Sequence, residues 1–192
     1  MAECRGGSMT ELMDRKAFIT RWRKMLKLQA KLDERIVKGN GITYKDLLDG
    51  NLYVAAILDE IGELNHELKA DWCWWKKTQT PVDDKKVMEE FVDVLHFVLS
   101  WQLAHHEVTG LPLSKFTAIA FSEYENPIAA TETRRVVSAF QPMMLRLSEW
   151  NNYPPVSQLM WLMRNLKLDF KDVYQAYLAK NKINHQRQDQ GY

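Results

Sequence analysis

Apolar residues recur along this chain at helical spacing, and no strand-like alternation persists. The spacing predicts a first helix over about Thr10 to Val37, closed by the turn signal Lys38-Gly39-Asn40-Gly41. A second follows over about Leu52 to Asp71, then a loop over Trp72 to Asp83 punctuated by Pro81. A third spans about Asp84 to His106 and stops at Thr109-Gly110-Leu111-Pro112. Pro127, Pro142, Pro154 and Pro155 break the next stretch into short helices of a less regular subdomain. Two more helices are expected over Ser157 to Leu166 and Phe170 to about Asn184, with Asp169 capping the last. The polar tail, His185 to Tyr192, reads from composition alone as disordered. The fold class is all-α, a helical bundle in one domain of 192 residues.

The second and third helices share a pattern at an offset of 30 residues: Glu60-Ile61-Gly62-Glu63-Leu64-Asn65-His66 matches Glu90-Phe91-Val92-Asp93-Val94-Leu95-His96. The apolar stripe obeys the same offset, Ile57, Ile61, Leu64 and Leu68 pairing with Val87, Phe91, Val94 and Val98. Helices packed by these stripes bring Glu60, Glu63, Glu90 and Asp93 together. An oxygen-only cluster of this kind suits Mg²⁺ or Mn²⁺. Acidic residues at i, i+3 are ordinarily a solvated helix face, and Glu60 with Glu63 fits that reading. Asp93 does not, because it stands in an otherwise uncharged apolar run where a lone carboxylate is costly to bury. It needs a partner, either a metal ion or a Lys or Arg from elsewhere. Glu63-x-x-His66 and Asp93-x-x-His96 also resemble the elements of ferritin-like di-iron oxidases, although that site draws carboxylates from two further helices.

On the first helix Phe18, Trp22, Met25, Gln29 and Leu32 form one stripe, so Gln29 points into the core. A buried amide needs its donor and its acceptor used, by neighbouring backbone or by the edge of a pyrimidine. Trp72, Trp74 and Trp75 with Lys76 and Lys77 combine aromatic faces with positive charge, and Lys180, Asn181, Asn184, Arg187 and Gln188 make a polar, basic set that suits a phosphate chain. The net charge of +1 supplies no field to attract nucleic acid, so an anionic ligand must be held locally. Two cysteines form no disulfide framework and point to a reducing cytoplasm. Neither a signal core nor a membrane span is expected, since the most apolar run, Phe91 to Ala104, holds Asp93 and His96.

Glu60-x-x-Glu63, the block Glu90 to Phe97, and Tyr177-Leu-Ala-Lys180-Asn181-Lys-Ile-Asn184 with the closing Arg187-Gln188-Asp189-Gln190-Gly191-Tyr192 together resemble the dimeric all-α dUTPases, within the MazG-like NTP pyrophosphatases. The last block is also similar to the tail of bacteriophage dCTP/dUTP pyrophosphatases. The likeness covers a core of about 10–106 and 169–192, and leaves about 107–168 as a helical insertion. It implies a cytoplasmic homodimer that hydrolyses dUTP, dUDP or dCTP with Mg²⁺ on Glu60, Glu63, Glu90 and Asp93, Glu63 serving as general base. It further implies Gln29, Phe97 and Asn184 around uracil and deoxyribose with Trp75 and His96 nearby, and Lys180, Asn181, Arg187 and Tyr192 on phosphate. Asp33 departs from the resemblance, because the family often carries Asn there.

Overall fold

Each main helix is delimited by residues that satisfy its free backbone groups. Asp14 accepts from the amides of Lys16 and Ala17 and starts α1 (Arg15–Asn40), and Gly41 closes it in the left-handed region at φ 64°. Thr43 and Asp46 form a reciprocal capping box that nucleates α2 (Tyr44–Asp49), a short helix the periodicity does not reveal. α3 (Leu52–Glu67) and the single turn α4 (Lys69–Trp72) follow, divided at Leu68. Asp83 caps α5 (Asp84–Thr109), which Gly110 ends at φ 74°. α6 (Leu113–Glu125), α7 (Pro155–Asn165) and α8 (Phe170–Asp189) complete the order. Asp169 caps α8 as expected, accepting from the Lys171 amide at 2.6 Å. This computed structural model describes residues 12–126 and 154–191. Tyr192 and most of the proline-broken stretch therefore lie outside the described residues.

The fold is all-α, with eight helices and no strand among the described residues. α5 is the central element, contacting α1, α2, α3, α6, α7 and α8, and α3 lies against it most extensively. Both stripes are buried as their spacing requires: Ile57, Ile61, Leu64 and Leu68 on α3, Val87, Phe91, Val94 and Val98 on α5. Phe18 and Trp22 on α1 stack with Phe170 of α8, which binds the last helix to the first. α6 and α7 add Phe116, Phe121, Leu159 and Leu162 to the same core. Among the described residues no helix is long and apolar enough to cross a membrane.

The tail departs from the compositional expectation. α8 runs on to Asp189 instead of ending near Asn184, and Arg35 of α1 meets Asp189 at 2.6 Å and the His185 imidazole at 3.1 Å. These long-range partners order a segment whose polarity alone gives no reason to fold.

Gly62 sits in the exposed middle of α3 with nothing within 4 Å of the position a Cβ would take. Gly62→Ala should stabilise the isolated chain by about 0.5–1 kcal/mol, the usual gain for removing a glycine from a helix interior. Urea unfolding measures this. A loss of stability would show that another surface packs closely on this face of α3.

Candidate active site

The packing of α3 on α5 puts three carboxylates where two apolar stripes meet. Glu60, Glu90 and Asp93 each offer an oxygen within 4.8 Å of the others, and all three are half-buried. Burial raises the pKa of Glu60 to about 7, and repulsion from Asp93, Glu63 and Glu90 adds to it. Glu90 is raised by the same causes. Asp93 donates nothing and accepts a hydrogen bond of 2.5 Å from the Lys180 ammonium on α8. Burial still outweighs that lysine, so Asp93 also titrates above the usual carboxylate range. The basic partner of Asp93 is thus Lys180.

One turn further along α5 lies a second polar group, enclosed by α1, α5 and α8. The Gln29 amide donates to Asp33 Oδ1 at 2.8 Å and to Ser100 Oγ at 3.0 Å, and the Ser100 hydroxyl donates to Asp33 Oδ1 at 2.8 Å. The Gln29 carbonyl oxygen accepts from the Tyr177 hydroxyl at 2.9 Å and faces His96 Nδ1 at 2.7 Å. Asn181 reaches the same Tyr177 hydroxyl at 3.4 Å. Gln29, Asp33, His96, Ser100 and Asn181 are all buried. Burial, reinforced by the Lys180 charge, holds the His96 imidazole neutral, with its pKa lowered to about 3. Burial raises Asp33 to about 6, against the hydrogen bonds from Gln29 and Ser100.

Three carboxylates thus meet beside a buried amide network and a last helix that brings Lys180 to them. The sequence model of the dUTPase family matches residues 21–192, which takes in α1 from its second turn and every later helix. The chain belongs to the dUTPase family. It is a dUTP diphosphatase, an enzyme of nucleotide metabolism. A search of curated proteins finds no match.

In this dUTPase the residues singled out in the sequence separate into groups. Glu60, Glu90, Asp93 and Lys180 converge, and so do Gln29, His96 and Asn181. Glu63 stands outside the trio, exposed on α3 but near enough to repel all three. Arg187 bonds Asn184 at 3.4 Å and also attracts Asp93. Trp75 is 57% exposed on the loop after α4, its ring 5.6 Å from Trp72 and 5.8 Å from Trp74, and Phe97 is half-buried on α5. His66 is exposed and His96 is engaged with Gln29, so neither joins the carboxylates as a di-iron site would need. Periodicity missed Ser100 and Tyr177. Ser100 lies one turn beyond His96 and Tyr177 one turn before Asn181, and only that spacing pointed to them.

The pH dependence of stability follows from Glu60. Its folded value, about 7, lies above its ordinary 4.5, so the folded chain holds more proton than the unfolded chain between these values. Its contribution favours folding at low pH and is lost as the pH rises toward 7. Metal-free Glu60→Gln should therefore come closest to wild type below about pH 4 and become the more stable of the two by about pH 8. His96 acts in the opposite sense, but is common to both proteins and cancels in the difference. Chemical denaturation of the pair across this range measures it, and a difference that does not vary with pH would mean that Glu60 titrates as an ordinary surface carboxylate.

Proposed function

We propose that this dUTPase hydrolyses dUTP to dUMP and pyrophosphate, and dUDP to dUMP and phosphate, in a Mg²⁺-dependent reaction, with Mn²⁺ as an alternative ion. The observation that carries this reading is the meeting of Glu60, Glu90 and Asp93 oxygens within 4.8 Å on a buried helix pair. The donor set fits the ion: it is all oxygen, the preference of hard cations, and its members repel one another until a cation relieves them. Glu60, Glu90 and Asp93 hold the ion, with Glu63 at their edge. When bound, Mg²⁺ neutralises the phosphate chain and lowers the pKa of a coordinated water.

The chain's own residues do the remaining work. Glu63, exposed beside the trio, takes the proton from the attacking water as general base. Lys180 leaves Asp93 for the phosphate chain, where Asn181, Arg187 and Tyr192 join it. Gln29, His96, Phe97 and Asn184 border the base and deoxyribose, and Trp75 covers them from the loop. Binding from both ends aligns the phosphorus for in-line attack, and this positioning is the main source of rate. The resemblance to the dimeric enzymes supports a cytoplasmic homodimer.

A panel of dNTPs and dNDPs assayed for phosphate products tests this reading. Pyrophosphate should form from dUTP with Mg²⁺ and stop with chelator. Asp93→Asn should abolish turnover. Mg²⁺ at a hundredfold excess over Kd should stabilise wild type by ~2.7 kcal/mol through linkage, and the variant by much less. Full turnover in chelator would remove the metal from the account.

A further inference from the structure

Charge is unevenly spread along α1. From Arg15 to Leu32 the helix carries seven basic residues and no acidic one, although the whole chain has a net charge of only +1. Arg15 rests on the Phe121 ring, and Arg21 and Lys24 rest on that of Tyr174. Arg23, Lys27 and Lys31 are exposed and make no ion pair among the described residues. At i, i+4 and i+8 they form a ridge of about 12 Å along one face. Such a ridge is ordinary on a solvated helix, but an apolar cleft beside it is not.

The cleft lies between α1 and the first turns of α6 and has a volume of about 370 Å³. Arg23 and Lys27 stand on its lip, Leu26 and Leu103 form its buried wall, and Ala30 and Leu113 are half-buried in it. α6 starts here without an acidic residue in its first turn, so its dipole adds to the positive side. The active site is elsewhere. α8 takes the other flank of α1, where Tyr174 meets Arg21 and Lys24 and Asp189 meets Arg35. No residue of the carboxylate cluster or of the Gln29 network lines the cleft. An occupant has to bring apolar groups for the wall and carboxylates for the ridge. We propose that this face docks an acidic amphipathic helix of a protein partner. Its apolar side chains enter the cleft, and its acidic residues, one turn apart, lie along Arg23, Lys27 and Lys31. Helix-in-groove recognition has this form. Single-stranded nucleic acid fits less well, because its bases stack on aromatic rings and none lines the cleft.

The probe is a fluorescent helical peptide of about 18 residues, with glutamates one turn apart beside a leucine stripe, titrated into the full chain and followed by anisotropy. A peptide with serine for leucine, a single-stranded thymidine oligonucleotide and dodecanoate are compared with it. Saturable binding of one peptide per chain is expected. The double change Arg23→Glu and Lys27→Glu should weaken it about tenfold or more. Ser114→Trp, which fills the cleft from an exposed position without altering a charge, should weaken it as well. Circular dichroism checks that both variants fold, and dUTP turnover should stay at the wild-type level in each. No binding, equal binding of the serine peptide, or binding that Ser114→Trp leaves unchanged overturns the inference. Tighter binding of the oligonucleotide, displacement of the peptide by dodecanoate, or a self-associated chain that the double change dissociates also overturns it, by assigning the cleft to nucleic acid, a small apolar anion or a second copy. Loss of turnover in a folded variant would join this face to the active site and overturn it too.

Discussion

The concentration of negative charge at the interface of α3 and α5 governs this molecule. Glu60, Glu90 and Asp93 are drawn out of water by the same stripes that build the core, and in that setting like charges cannot simply be screened. A cation has to come to them. Lys180 meets Asp93, while proton uptake by Glu60 relieves the rest. On the proposed reading a divalent ion would meet the same need more completely, and would free the lysine for the substrate's phosphates. Hydrophobic packing thus creates the electrostatic demand that a bound cation would answer.

α8 connects this cluster to the pocket behind it. Within a single turn it carries Tyr177 and Asn181 to the amide network and Lys180 to the carboxylates. A shift of α8 that moves Lys180 from Asp93 to a phosphate also acts on the Tyr177 bond to Gln29. The far end of the helix is held to α1 through Arg35 and Asp189, an exposed pair that fixes direction more than it adds stability. The carboxylate cluster and the amide network therefore share one helix, anchored at Phe170 by its stack on Phe18.

Much of this was legible in the sequence because it depends on periodicity. The 30-residue offset accounts for the burial of both stripes and for the meeting of Glu60, Glu90 and Asp93, and Asp169 is recognisable as a cap. What was hidden depends on partners distant in the chain. Asp93 and Lys180 are 87 residues apart, Gln29 and Tyr177 are 148 apart, and no local pattern joins them. The burial of Gln29 could be read from α1 alone, but not that its hydrogen bonds are already filled from α5 and α8. The helical tail was missed for the same reason, since Arg35 supplies what composition lacks. α2 was missed because its six residues are too few to show a period, and its capping box carries the signal instead.

The central claim, that a cation displaces protons and Lys180 from one crowded carboxylate cluster, is tested most directly by calorimetry. Mg²⁺ is titrated into the protein near pH 7 in buffers of different ionisation enthalpy. A Glu60 carboxyl titrating at about 7 should release a fraction of a proton on binding, so the apparent heat should vary with the buffer and cease to vary near about pH 9. Saturable binding whose heat is the same in every buffer at pH 7 would contradict the account, and so would the absence of saturable binding.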